Sequence, residues 1–302
     1  MELQQMRYVI AVAEERSFTR AAERCFVVQS ALSHQIKALE REIGVALFAR
    51  SSRRVEPTAA GEAFVAAARL SLDAAQRAIT DAAAATGQIR GPLTVGVIPT
   101  VTAIDVPAAL ADFHRAHPAA TIALRGGSSD DFVRAISAGA MDAAVLGLAD
   151  SVTPRGVQTR TLIRERLVAV VSSSHALAGR RRLRLAELAD ETFVDFPAGT
   201  SGRAPTDLAF AAAGLRRDVA FEAMNTDLIL DLVRQGLVVA LLSPAVVGDD
   251  PALRTIPVTG GPARIEYLAW SAFNPSPAAR AFVDLARQRT IRQPGSRAVA
   301  MP

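Results

Sequence analysis

The chain is poor in residues whose chemistry would be hard to miss. It has one cysteine, Cys25, in 302 residues, so no intramolecular disulfide can form, which fits a reducing compartment. Its four histidines are His34, His114, His117 and His175. The spacing of His114 and His117 is metal-like, but no cysteine or matching acid pattern completes a site, so the pair reads as a solvated helix end. Gly199-Thr200-Ser201-Gly202-Arg203 lacks the spacing and the lysine of a phosphate-binding loop. No serine has glycine two positions before and two after it, so a nucleophile elbow is absent. No apolar run is long enough to cross a bilayer, and the acids in the N-terminal stretch interrupt any signal pattern. These absences predict a cytoplasmic protein that is not an enzyme and has no cofactor, no metal and no membrane partner. Lysine is also scarce: Lys37 is the only one, and arginine supplies the remaining basic charge. The formal net charge of +4 permits nucleic-acid binding without establishing it.

What is present is a soluble globular composition, 50% hydrophobic and 21% charged, in a chain long enough for about two domains. Four regions separate by composition. Residues 1–57 mix charge with helical periodicity, and 58–87 are alanine-rich without proline. Gly87-Gln88-Ile89-Arg90-Gly91-Pro92 reads as a linker. From Leu93, strand-like runs alternate with helical patterns up to 292, and the tail 293–302 has no apolar period and reads as disordered.

In the first region Leu3, Met6, Ile10 and Ala13 repeat at helical spacing. Phe18, Ala21, Ala22 and Cys25 do so again behind a Ser17 cap, and Leu32, Ile36, Leu39 and Ile43 form a third stripe stopped by Gly44. The joint between the second and third helices, Phe26 to Gln29, is short enough for a helix-turn-helix with its core over about 18–37. Ser30, Ser33, His34, Lys37 and Arg41 share the opposite face of the third helix. Hydroxyls and forked donors can reach base edges while cations meet phosphate. The same face also reads as an ordinary solvated side. The segment that follows favours DNA: Arg50, Arg53 and Arg54 lie in a hydroxyl-rich loop of the kind that tracks phosphates in a winged module.

The stretch SFTRAAERCFVVQSALSHQIKALEREIGVALFARSSRRVEPTAAGEAF resembles the N-terminal module of LysR-type transcriptional regulators. The matching pieces are Ser17-Phe18, Ala21-Ala22-Glu23, Gln29, Ser33, Gln35-Ile36, Leu39-Glu40, Gly44, Leu47-Phe48, Arg50, Arg53 and Thr58-x-Ala60-Gly61. The resemblance extends more loosely over the rest of the chain. It implies a multidomain architecture, with an all-α winged helix-turn-helix, a long linker helix, and an α/β effector domain of two subdomains like periplasmic solute-binding proteins. It implies double-stranded promoter DNA as a partner, met by Gln29, Ser30, Ser33, His34, Lys37, Arg50, Arg53 and Arg54. It further implies a homodimer or homotetramer joined through the linker helix and effector domain, with RNA polymerase as a further partner. The sequence departs from the family pattern at a few positions. Val28 stands where a capping Ser or Thr is usual, a loss of about 1 kcal/mol unless Ser30 starts the helix later. His34 stands where arginine is common, and Cys25, read as a small core residue, replaces a leucine.

Phe64, Ala68, Leu72, Ala75, Ile79 and Ala82 recur at helical period, predicting one long helix of about 40 Å. In the family this helix pairs with a second copy; the alternative is packing on its own C-terminal domain. Beyond it, the alternation of strands (Leu93–Ile98, Thr121–Leu124, Ala143–Leu148, Leu167–Val171) with helices predicts parallel sheets. The resemblance implies crossings near Thr161 and Tyr267, giving subdomain I as 91–161 plus 267–292 and subdomain II as 162–266. Hydroxyls at strand-to-helix junctions suit an anion, often a carboxylate, although each is also an ordinary helix cap. By resemblance, Thr100, Thr102, Ser128, Thr200 and Thr226 would line the cleft of a small, carboxylate-bearing effector. Two alternatives remain: a ligand-independent DNA-binding repressor or architectural protein, and an enzyme or solute-binding domain with an accessory DNA module.

Overall fold

The computed structural model describes residues 1–50 and 55–290, so Arg53, Arg54 and the 293–302 tail lie outside the described residues. The chain divides into two compact units, Met1–Gly87 and the remainder from Gln88.

The first unit is built from α1 (Leu3–Glu15), α2 (Phe18–Arg24) and α3 (Gln29–Ile43), then an antiparallel wing of β1 (Phe48–Arg50) and β2 (Val55–Pro57), then α4 (Ala59–Ala85). Ser17 Oγ accepts from the Arg20 amide to cap α2, and Gly44 closes α3 at φ +75°, a left-handed backbone that favours glycine. Val9, Val12, Ala21, Ala22, Leu32, Ile36, Leu39 and Leu47 form the core. In α1 the stripe differs from the one read through Leu3, Ile10 and Ala13. Leu3 is exposed, and Val9 and Val12 are buried instead. Apolar residues run almost without a break from Met6 to Ala13, so packing against α3 and α4, not periodicity, selects the face. The start of α4 is tied to the wing. Thr58 Oγ1 accepts from the Gly61 amide at 3.0 Å and donates to the Ala46 carbonyl at 2.8 Å. A Cβ on Gly61 would lie 2.0 Å from the Leu47 carbonyl oxygen, so only glycine permits this approach. Glu40 Oε1 accepts from the Leu47 and Phe48 amides, anchoring the wing to α3.

The second unit starts with β3 (Gly91–Val97), α5 (Val106–Ala116), β4 (Ala120–Gly126), α6 (Ser129–Ser137), β5 (Ala143–Ala149) and β6 (Val157–Arg166). It continues through β7 (Val168–Ser172), β8 (Leu183–Arg184), β9 (Thr192–Asp195), α7 (Ala204–Ala212), β10 (Asp218–Glu222), α8 (Thr226–Arg234), β11 (Ala240–Leu242), α9 (Pro244–Val247) and β12 (Leu253–Thr259). It ends with β13 (Ala263–Ser271) and α10 (Pro277–Gln288). One sheet has the order β4-β3-β5-β13-β6, and the other β11-β7-β12-β8 beside the parallel pair β9-β10. On the first sheet α5 and α10 bury Phe113 and Phe282 on one face, and α6 buries Phe132 and Ile136 on the other.

Two expectations are corrected here. The sheets are mixed rather than parallel, because β13 runs antiparallel to β5 and β6, and β7 antiparallel to β11 and β12. The short joints at Leu167 and Gly260–Pro262 carry the chain from one sheet to the other, β6 to β7 and β12 to β13. The chain also changes sheets at Arg166–Leu167 and returns at Ala263, not near Thr161 and Tyr267. The charged run Arg164-Glu165-Arg166 continues β6, with Glu165 buried against its ion-pair partner Arg264.

Candidate functional site

In the first unit, burial of Leu32, Ile36 and Leu39 turns the other side of α3 outward. Gln29, Ser30, His34 and Lys37 are exposed there, and Ser33 is half-buried. Arg50 ends β1 at the start of the wing. The helix begins at Gln29 with Val28 as its N-cap and no side-chain cap bond, so the shift of the start to Ser30 does not occur. Cys25 is half-buried, and burial pushes its thiol pKa up, the opposite of what a reactive thiolate needs.

In the second unit, a cavity of about 30 Å³ lies between the two sheets. Its wall brings together Thr100, Ser128 and Thr200 with the apolar Ile98, Phe196 and Met224. Thr102 and Thr226 are not on this wall. Thr102 turns away, its amide and hydroxyl both donating to Glu266, and Thr226 Oγ1 donates to the Pro99 carbonyl at 3.3 Å, tying one subdomain to the other. Two of the three wall hydroxyls serve local structure. Ser128 caps α6 and donates to Asp131, and Thr200 donates to the Pro197 carbonyl.

Three further wall residues are not among the effector residues expected from the sequence, although Ser129 and Ser201 lie in the same junctions as Ser128 and Thr200. Ser129 is buried and holds both the amide and the carbonyl of Gly147, fixing α6 to β5. Ser201 is 6% exposed, and its Oγ has no hydrogen-bond partner among the described residues. A buried hydroxyl left unpaired costs stability. Arg264 is the third. Its Nε donates to Glu165 at 2.7 Å, Nη1 to Thr100 Oγ1 at 2.6 Å, and Nη2 to the Thr100 carbonyl at 2.8 Å and to Glu266 at 2.6 Å. Glu165 also accepts from Ser243 Oγ at 2.7 Å, and Glu266 from the Thr102 and Ala103 amides. One guanidinium therefore joins the cavity wall to both strands that cross between the sheets. A motif could not have disclosed it, since two of its three partners, Glu165 and Thr100, lie 99 and 164 positions away. Arg203 is committed to ion pairs with Glu222 and Asp207 instead of the cavity. Behind the wall, burial raises the Asp195 carboxyl pKa, opposed by Arg217 and by hydrogen bonds from Thr206 and the Phe196 amide. Asp130 accepts from the Ser201 amide at 3.1 Å, a further tie between the subdomains.

A winged helix-turn-helix with an exposed polar face, followed by two α/β subdomains around a cavity, defines a ligand-responsive DNA-binding regulator. Residues 3–62 match the model of the bacterial regulatory helix-turn-helix protein, lysR family, and residues 86–290 match the LysR substrate binding domain. The chain belongs to the LysR family of DNA-binding transcriptional regulators, with a substrate-binding effector domain. It is 33% identical over 292 residues to the HTH-type transcriptional regulator TfdS of Cupriavidus pinatubonensis, covering 95% of this chain and 98% of that protein. It is 30% identical to a hydrogen peroxide-inducible genes activator of Dickeya chrysanthemi, covering 82% of this chain and 80% of the other. Among solved structures, full-length OxyR from Pseudomonas aeruginosa, in a variant form, matches at TM-score 0.71 and 27% identity over 97% of this chain and 99% of that one. Full-length CbnR complexed with its target DNA matches at TM-score 0.66 and 27% identity over 96% and 100%. No helix among the described residues is long and apolar enough to cross a membrane.

Proposed function

We propose that this regulator is a cytoplasmic, non-enzymatic protein that binds promoter DNA as a dimer or tetramer and acts on RNA polymerase in response to a small carboxylate. Gln29, Ser30, Ser33 and His34 read base edges, and Lys37, Arg50, Arg53 and Arg54 meet phosphate. The effector rests in the cavity against Thr100, Ser128, Thr200, Ser201 and Arg264, with Thr102 and Thr226 holding the surrounding loops. Ser201 Oγ carries this reading, because nothing else in the described structure uses it. Sensing is by non-covalent binding: the one cysteine of the chain, Cys25, lies in the DNA-binding unit, so no thiol chemistry is available in the effector domain.

The cavity is small, at about 30 Å³, so a larger carboxylate needs the subdomains to part. That small volume also supports a second reading, a regulator that works without a ligand. Thermal-shift screening of the full chain against a panel of aliphatic and aromatic carboxylates separates the two. A hit at 100 times its Kd stabilises by about 2.7 kcal/mol, is lost in Ser201→Ala, and changes the footprint on DNA. A panel with no hit favours the ligand-independent regulator.

A further inference from the structure

We propose that Phe26 and Val28, in the turn ahead of α3, form an apolar contact with thymine methyl groups of the operator and so help set its sequence. The proposal rests on reading α3 as the recognition helix.

Phe26 is 94% exposed and held at φ +56°, a left-handed backbone that suits glycine or asparagine and is costly for a bulky side chain. The conformation is demanded by the end of α2, where the Phe26 amide donates to the Glu23 carbonyl and the Val27 amide to the Ala22 carbonyl. Val28 is 68% exposed at the N-cap of α3, a position that suits a hydroxyl or amide side chain, and it makes no cap bond. Between them Val27 is partly buried and packs against the core, while its two neighbours are exposed. At two nearby positions, therefore, the chain carries a residue that is poor for local folding and gains only exposed apolar surface. The folded unit uses neither side chain, which points to a partner.

The partner is DNA because these two exposed residues immediately precede, in the chain, the exposed Gln29, Ser30 and His34 of α3. A protein partner would need a wider apolar area than two side chains set among polar ones. The apolar group that the major groove presents is the thymine 5-methyl, which phenylalanine and other apolar side chains contact.

The test uses the full chain and a high-affinity duplex selected from a random pool, made with thymine and again with uracil in the half-sites. Phe26→Asn and Val28→Thr both suit the local backbone, so each should raise Tm while weakening binding to the thymine duplex, together about tenfold. Uracil should weaken wild-type binding by a similar factor and leave the double variant almost unaffected. Equal losses on thymine and uracil duplexes, or no loss on either, would overturn the proposal. Ser33→Ala, run in parallel, checks the recognition-helix reading itself: if it leaves sequence preference unchanged while the methyl effect persists, that reading fails and the contact does not.

Discussion

Arg264 is the residue on which the effector domain turns. It is buried, and it neutralises two buried carboxylates, Glu165 and Glu266, while gripping Thr100 on the cavity wall. Removing one partner of such a pair leaves charge buried and unpaired, so Arg264→Ala should destabilise the effector domain by about 3–5 kcal/mol in chemical denaturation. Ser201→Ala should do the opposite, leaving the protein unchanged or more stable by about 1 kcal/mol, because it deletes an unpaired hydroxyl. A loss of stability would show that the hydroxyl has a structural partner. Arg264 belongs to no local pattern, and Ser201, although it shares the strand-to-helix junction of Thr200, does not stand out within it. Serine and arginine are common, and what distinguishes these two is their burial and their contacts across the fold. Thr100, Ser128 and Thr200 were legible because they sit at strand-to-helix junctions, where a local pattern exists.

At the scale of elements, α3 and α4 were readable because their function follows from periodicity. The apolar stripe of α3 leaves one face free, and Thr58 and Gly61 mark where α4 must start. Glu14 of α1 pairs with Arg69 of α4 at 2.7 Å and with Arg24 of α2 at 2.7 Å. Burial raises the Glu14 pKa, but bonds to the two arginines outweigh it and hold the carboxyl below its ordinary value. A lowered folded pKa contributes stability above the unfolded pKa and loses it as pH falls through the folded one. Glu14→Gln should therefore lower stability by about 0.5 kcal/mol at pH 7, the size of a largely exposed ion pair. The difference from wild type should shrink as pH falls below the ordinary carboxylate range and vanish once pH is below the lowered folded pKa; a difference independent of pH would argue against the pairing. Along α4, Leu70 and Ile79 are exposed apolar side chains. Ile79→Asp should shift the assembly toward monomer in mass photometry and weaken binding to a two-half-site duplex far more than to a single half-site. The strands β6 and β13 were read less well, because the charged run Arg164–Arg166 hides a strand that only its partner Arg264 explains.

For the whole molecule, the proposed response to an effector requires the two subdomains to move about the crossings that follow β6 and precede β13. Asp130 and Thr226 tie the cavity shut from opposite sheets. A ligand can shift this equilibrium only by binding one arrangement better than the other. Asp130→Ala should loosen closure, which small-angle scattering of the full chain would register as a larger radius of gyration and stopped-flow as faster ligand entry. Unchanged values for both would remove Asp130 from the closing device.

Lys37 is the one lysine, and it is exposed on the face of α3 assigned to DNA. An amine-acylating reagent therefore has one side-chain target, Lys37. The protein thus carries a built-in footprinting handle. Acylation at Lys37, read by mass spectrometry, reports occupancy of the DNA face while the effector domain, which has no lysine, stays chemically untouched.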